Sequence, residues 1–233
     1  MKIMTFNTQH CLNFLEQKID YEIMAKEILS HGADIVGLNE MHSDSKAGAI
    51  YPNQTKKLGE LTGIENSYFA EAINWPPEGP YGNGFLSKYK ILSVETIKIP
   101  DPCPKRYNGY YETRCLLKAK LENGYTVLVC HFGLNLDEEE NAVKTILENL
   151  APEKCILMGD FNVTPENPVL NPLRAVMKDA ADGFCQSTPT FPSNKPEIKI
   201  DYIFVSPDIM VENAYISDGI ASDHRAHVAE IRE

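Results

Sequence analysis

The sequence contains no apolar run near the roughly 18 residues that a membrane-spanning helix needs, so no such span is expected within it. It has no Cys-x-x-Cys pair: Cys11, Cys103, Cys115, Cys130, Cys155 and Cys185 stand singly, which sets aside a structural zinc site and a redox dithiol. Cys130 and Cys155 sit inside apolar runs, where cysteine behaves as a small hydrophobe, so reduced, structural thiols are expected. Gly/Ser linkers, internal repeats and low-complexity tracts are absent, and residues 1–233 therefore read as a single domain. Positive charge is scarce. Lys and Arg number 22 against 33 Asp and Glu, a net charge of −11, which argues against a sequence-independent grip on long nucleic acid. A small phosphorylated substrate drawn in by a bound divalent cation remains compatible with that charge. The opening Met1-Lys2-Ile3-Met4-Thr5-Phe6-Asn7 reads directly as a strand and lacks the apolar stretch of a signal peptide, so a cytoplasmic protein is expected. Nothing in the sequence demands an obligate protein partner. At 43% hydrophobic and 24% charged residues, disorder, collagen and coiled coil are excluded.

What is present is strand and helix in alternation. Residues 2–7 and 34–40 read as strands, and 19–31 as a helix whose Ile19, Ile23, Met24, Ile28 and Leu29 keep a helical stripe ending at Gly32. A second helix is expected from Asn53 to about Leu61. Segments 67–73, 83–88, 90–99, 112–121 and 124–132 read as strands, with Asn123-Gly124 as a hairpin turn. A helix over 137–150, a strand over 154–160, a helix near 168–177 and strands near 198–205, 210–216 and 226–231 complete the pattern. Helices flanking a strand-rich middle predict an α/β fold of two packed sheets covered outside by helices.

Polar residues interrupt the apolar strands at their ends. Asn7 ends the first strand, Glu40 follows Ile35-Val36-Gly37-Leu38-Asn39, and His131 ends Val127-Leu128-Val129-Cys130. Asp160 and Asn162 follow Ile156-Leu157-Met158-Gly159, and Asp223-His224 precede the final apolar segment. A charge left unpaired beside such apolar neighbours costs several kcal/mol, so ions or hydrogen bonds are expected there. Asp201 shares a strand face with Ile203 and Val205 and points into a desolvated space. His224 is its natural partner. A carboxylate on one ring nitrogen leaves the other free for proton transfer, although the same pair can be purely structural. Gly159-Asp160-Phe161-Asn162 can hold water or phosphate oxygens, or be a simple turn. Glu40, with Asn39 and Asn7, offers oxygen ligands suited to a hard cation such as Mg²⁺.

Taken in order, Thr5-Phe6-Asn7, Gly37-Leu38-Asn39-Glu40, Gly82-Asn83-Gly84-Phe85-Leu86-Ser87-Lys88, Glu112-Thr113-Arg114, His131-Phe132, Gly159-Asp160-Phe161-Asn162, Ile200-Asp201-Tyr202-Ile203 and Ser222-Asp223-His224 resemble the endonuclease/exonuclease/phosphatase superfamily. The resemblance runs over nearly the whole chain. It implies a four-layer α/β/β/α sandwich, two packed mixed sheets flanked by helices, and phosphoester hydrolysis using Mg²⁺ or Mn²⁺. Position by position, it implies Glu40, Asn7 and Asp223 as metal residues and Asp160 as the group that orients or deprotonates the attacking water. Asn162 and Arg114 would hold the substrate phosphate, and His224 paired with Asp201 would be the base or the hydrogen-bond donor. Which of Asp160 and His224 takes the proton stays open. His131 matches the deoxyribonuclease, sphingomyelinase and deadenylase-like branches, with Glu71 as its expected carboxylate partner. A phosphodiesterase or nuclease is the leading expectation. A phosphomonoesterase acting on inositol phosphates or other small phosphorylated molecules, and a non-catalytic binding protein on the same fold, are the alternatives. Lys56, Lys57, Lys105 and Arg106 form either a local basic patch for nucleic acid or solvated surface charge. The loop from Trp75 to Tyr81 is either a substrate-selecting element or a rigid spacer.

Overall fold

Strands that bury both faces need a layer on each side, and that requirement sets the architecture. The structure is a computed structural model and describes residues 1–44 and 51–232. Along the chain come β1 (Lys2–Asn7), a short ribbon of β2 (Leu12–Asn13) and β3 (Lys18–Ile19), helix α1 (Tyr21–His31) and β4 (Ile35–His42). Helix α2 (Gln54–Thr62) leads into β5 (Asn66–Trp75), β6 (Gly79–Ser87), β7 (Ile91–Lys98), β8 (Cys115–Leu121) and β9 (Thr126–His131). Helix α3 (Leu136–Leu147) precedes β10 (Cys155–Asp160), and the one-turn helix α4 (Asn171–Arg174) precedes β11 (Lys178–Asp179). The chain closes with β12 (Asp201–Val205), β13 (Val211–Ile216) and β14 (His227–Ile231).

Among the described residues the strands form two six-stranded sheets, ordered β13-β14-β1-β4-β6-β5 and β11-β12-β10-β9-β8-β7. Each has one parallel pair at its centre, β1 with β4 and β9 with β10, and antiparallel neighbours outward. A parallel pair needs a crossover, and α1 and α3 provide the two. Side-chain alternation then sorts the core. Ile3, Ile35, Val127, Val129, Ile156, Met158, Ile203 and Val205 fill the space between the sheets. Met4, Phe6 and Leu38 face outward against Met24 and Ile28 of α1 and Leu58 of α2. Leu128, Leu157 and Phe204 face outward against Ala142 and Ile146 of α3 and Leu173 of α4. This is the expected α/β/β/α layering.

Most expected elements form, and the departures have local causes. Helix α1 starts at Tyr21 because Asp20 caps it, accepting from the Ile23 N–H. The Asn123-Gly124 hairpin joins β8 to β9 with Gly124 at φ +89°. The helix expected over 168–177 is broken into a 3₁₀ turn, Pro168–Leu170, and α4, with prolines opening both pieces. The segment from 112 to 114 is not strand, because the Glu112 N–H donates to the Glu138 carboxylate instead of a neighbouring strand. The expected loop after Trp75 is the end of a hairpin, with Trp75 opposite Gly79. Among the described residues no helix is long and apolar enough to cross a membrane.

Candidate active site

Register aligns the polar ends of three neighbouring strands. Asp160 of β10 lies opposite His131 of β9 on one side and opposite Asp201 of β12 on the other. In the other sheet Asn7 of β1 lies beside Asn39 of β4, and Glu40 follows at a bulge in the β4–β6 pairing. Glu40 takes φ +60° and Asn162 φ +54°, left-handed conformations that cost a non-glycine residue about 1–3 kcal/mol and concentrate at functional sites. Two glycines allow the close packing behind this rim. A Cβ on Gly159 would lie 1.8 Å from the Cys130 carbonyl oxygen, and one on Gly37 would lie 2.6 Å from the Met158 sulfur of the facing sheet.

Amides stitch the two sheets together at the rim. The Asn7 Nδ2 donates to Glu40 Oε1 at 3.1 Å and to Asp160 Oδ2 at 3.0 Å. Asn39 accepts from the Asp160 N–H at 2.9 Å and donates to the Cys130 carbonyl at 3.1 Å and to Asn83 at 2.8 Å. Asp160 Oδ1 accepts from the Asn162 N–H at 2.9 Å, so Gly159-Asp160-Phe161-Asn162 does make a turn. That turn carries Phe161 into a stack with Phe132, ring centroids 4.3 Å apart, and leaves Asn162 on the His131 side. His224 Nδ1 donates to Asp201 Oδ2 at 2.9 Å, and its Nε2 lies 3.6 Å from Asp160 Oδ2. Arg114 Nη1 donates to His131 Nδ1 at 3.0 Å, which leaves the ring proton on Nε2, 3.5 Å from Asp160 Oδ2. The Asn162 amide, 3.1 Å from that nitrogen, then makes its hydrogen bond to the Phe132 carbonyl at 3.1 Å.

The electrostatics follow from burial and from who faces whom. Burial pushes the Asp160 carboxyl up, while the His224 ring pulls it back. For His224, burial favours the neutral ring, but Asp201 and Asp160 more than reverse it, and the net shift is strongly upward. His131 moves the other way, held far below the ordinary imidazole range by burial and by the cations Arg114 and His224. One imidazole is therefore a proton donor and the other a neutral ring. Burial raises the Asp223 carboxyl, with His224 opposing and Glu40 adding to the rise.

These groups share a cavity of about 630 Å³ lined by Glu40, Arg114, His131, Asp160, Asn162, Asp223 and His224 among others. Asn7 and Asp201 stand behind it, fully buried, each bonded to a lining residue. A slightly larger groove of about 680 Å³ beside α3 is lined by Leu136, Val143, Leu147 and Pro168 and holds none of the expected site residues.

Several expectations are corrected here. Asn7 does not turn an oxygen toward a cation: its Oδ1 accepts from the Gln9 N–H, so its amide nitrogen faces the two carboxylates. Asn39, fully buried, bridges the sheets instead of offering a ligand. The carboxylate facing His131 is Asp160, and Glu71, on β5 opposite Gly82, does not line the cavity. Arg106 is ion-paired to Glu140 and Asp137, and Lys56, Lys57 and Lys105 do not line the cavity, so the basic patch does not serve it. Sequence reasoning assigned no role to Glu112, which pairs with Arg114, nor to His10, His42, Tyr51, Tyr110 and Phe191, which also line the cavity. Glu112 and Arg114 two apart in an extended segment was a readable signal; the aromatic residues, scattered over four segments, had none.

Two sets of donors could take a cation. Asp160, Asp201 and His224 each bring one ligand atom within 4.8 Å of the others. There, however, Asp201 and Asp160 hold the His224 ring protonated, which leaves it no lone pair for a cation. Glu40 and Asp223 offer carboxylate oxygens facing the same cavity, a hard donor set that suits Mg²⁺ or Mn²⁺ completed by water.

A cluster of carboxylates, imidazoles and amides at the shared rim of two sheets is what this fold and geometry define. Residues 4–224 match the endonuclease/exonuclease/phosphatase family, and the chain belongs to that family of phosphoester hydrolases, which generally use divalent metals. No curated protein matches the chain. Among solved structures it is similar to an endonuclease/exonuclease/phosphatase from Beutenbergia cavernae, with TM-score 0.82 and 21% identity over 100% of this chain and 71% of that one. It is also similar to a mannosyl-6-phosphatase from Bacteroides thetaiotaomicron, with TM-score 0.74 and 17% identity over 100% of both chains. D. rerio TDP2 in complex with a single-strand DNA product matches with TM-score 0.69 and 17% identity over 100% and 99%. At these identities the likenesses show the fold alone.

Proposed function

We propose that the chain hydrolyses a phosphodiester in a reaction that depends on Mg²⁺ or Mn²⁺. The observation that carries this reading is the Asn7 amide, which holds Glu40 of one sheet and Asp160 of the other at 3.1 and 3.0 Å and so ties a metal-side carboxylate to the water-side one. Glu40 and Asp223 are the residues to hold the ion, which would offset the burial of Asp223 and the repulsion Glu40 adds to it. When bound, the ion neutralises a non-bridging phosphate oxygen and the developing charge on the leaving oxygen.

The remaining work falls to the chain. Asp160 Oδ2 orients the attacking water and accepts its proton as the water oxygen bonds to phosphorus and the leaving-group oxygen departs. His224, oriented and kept protonated by Asp201, donates from Nε2 to a phosphoryl oxygen whose charge grows in the transition state. Arg114 and Asn162 donate to the other phosphate oxygens, neutral His131 holding Arg114 through Nδ1 and the Phe132 carbonyl holding the Asn162 amide. A diester suits the site better than a monoester because it carries one charge instead of two, and the cavity already holds the carboxylates Glu40, Glu78, Glu112, Asp160 and Asp223.

The test is hydrolysis of bis(4-nitrophenyl) phosphate with Mg²⁺ or Mn²⁺, with and without chelator. Activity should fall to background on chelation. Glu40→Gln should raise the Mg²⁺ needed for half-maximal rate by about tenfold or more. Asp160→Ala and His224→Ala should each lower kcat by about 100-fold or more while the fold is retained. Full activity in chelator, or in either alanine variant, overturns the assignment.

A further inference from the structure

The catalytic groups leave one wall of the cavity unexplained. It is built of rings that touch in sequence: His42 stacks on Tyr51 with centroids 4.6 Å apart, packs against Tyr81 at 5.2 Å, and Tyr81 in turn stacks on Trp75 at 4.8 Å. His10 closes the other end, 6.0 Å from His42. His42 and Tyr81 are buried, whereas Tyr51, Trp75 and His10 are half-buried. The inner rings thus serve as backing, and the half-buried rings keep part of their surface toward the cavity they line.

The wall is also built at a conformational cost. Gln9, His10 and Cys11 are three successive residues with φ +46°, +47° and +63°. Gln54, the fully buried first residue of α2, clamps this segment to the end of β4: its Nε2 donates to the His10 carbonyl and its Oε1 accepts from the His42 N–H, both at 2.7 Å. Such strain persists where surrounding structure over-determines it, and here what it achieves is to set His10 against the cavity. Phe191, which lines the same cavity, packs against His224 at 4.9 Å, so the wall and the proton-donating imidazole face one shared space.

Charge narrows the occupant. Arg114 is the one lining side chain with a fixed positive charge among the described residues, and Glu112 already pairs with it. Beyond the attacked phosphate, which Arg114 and protonated His224 serve, a row of phosphates would meet carboxylates and no further cation among the described residues. A single phosphoester with an uncharged group beside it would not.

Resting on the phosphoesterase reading above, we propose that the wall of Trp75, Tyr81, His42, Tyr51 and His10 is the specificity subsite, and that it takes an uncharged ring attached to a single phosphoester, stacked face-on as a nucleobase or the face of a pyranose. Rings suit this wall because stacking against fixed aromatic faces costs little ordering entropy and is strongest for a flat partner.

The experiment compares three methyl phosphodiesters that differ only in the second group: thymidine 5′-, a pyranose 6-, and 2-methoxyethyl. Product is followed by ³¹P NMR with Mg²⁺ present. One ring-bearing ester should exceed the methoxyethyl ester in kcat/KM by about 10- to 100-fold, the range of one base–aromatic stack. Which ring does so identifies the source. Tyr51→Leu and Trp75→Leu should pull that ratio toward one, and Trp75→Phe should restore most of it. Equal rates for all three esters, or a ratio untouched by Tyr51→Leu and Trp75→Leu, overturn the subsite and leave the phosphoesterase reading standing. If none is cleaved, that reading fails, and Trp75 still decides the subsite because it is the sole tryptophan. Saturable fluorescence change with a ring-bearing ester but not with the methoxyethyl ester supports the subsite, and no difference between them overturns it.

Discussion

Replacing Asp201 by Asn tests the proton-transfer assembly with the least change of shape. Asp201 is fully buried and accepts from His224 Nδ1 at 2.9 Å, aiming Nε2 toward Asp160. At an effective dielectric of about 20, opposite charges at that separation attract by about 6 kcal/mol. Removing the charge abolishes that attraction and so lowers the His224 pKa from its raised value. Orientation suffers as well. The second oxygen, Oδ1, is buried with no partner among the described residues, so an amide NH₂ placed there is an unsatisfied donor costing about 1–3 kcal/mol. Asp201→Asn should therefore lower kcat/KM by about 100- to 10,000-fold at pH 7. The sign of the pH dependence follows from the raised pKa. Native His224 stays protonated as pH rises, whereas in the variant the protonated fraction begins to fall at lower pH, so the deficit should widen from pH 6 to pH 9. The assay is kcat/KM for a phosphodiester over that range at saturating Mg²⁺, with circular dichroism to confirm folding. A well-folded Asp201→Asn enzyme within threefold of native activity, or a deficit that narrows with pH, would refute the reasoning.

Burial holds the pKa of His227, on β14, down to about 4, with Lys199 adding to the effect. Since the folded value lies below the unfolded one near 6.5, its contribution is full above pH 6.5 and lost as pH falls toward 4, about 3 kcal/mol in all. Urea denaturation of native protein and His227→Leu at pH 7 and 4.5 should show the native form losing about 2–3 kcal/mol more; equal losses refute it. Gly159→Ala, whose Cβ would sit 1.8 Å from a backbone oxygen, should cost about 3 kcal/mol or more, whereas Gly37→Ala meets the flexible Met158 side chain at 2.6 Å and should cost about 1–2 kcal/mol. Thermal melts that reverse this order contradict the packing argument. Lys199→Met, which strands Asp179 from its partner at 3.0 Å in the interior, should cost about 3–5 kcal/mol, and adding Asp179→Leu should recover much of that in denaturant titrations.

Much of this was legible in the sequence because it is local. Strand alternation places Ile3 and Met4 on opposite faces whatever the fold, and a run such as Cys155-Ile156-Leu157-Met158 that is apolar on both faces demands a layer on each side. Gly32 after the α1 stripe and Gly124 after Asn123 announce their own helix end and turn, whereas the Asp20 cap that starts α1 at Tyr21 was not read. The polar residues that interrupt those strands at or near their ends, Asn7, Glu40, His131, Asp160 and Asp201, could be named in advance as candidates for one rim. Their partners could not. Whether Asn7 presents oxygen or nitrogen depends on the Gln9 N–H beside it and on a carboxylate 153 residues away. His131 meets Asp160 and Arg114 instead of Glu71 because the β9–β10 register sets its neighbours. The ring wall depends on Gln54 drawing the residues around His10 onto β4. Hydrophobic pattern acts over a few residues and specifies which face is buried, whereas hydrogen-bond partners and charge neighbours are chosen by contacts between distant segments, and those exist only once both sheets have packed.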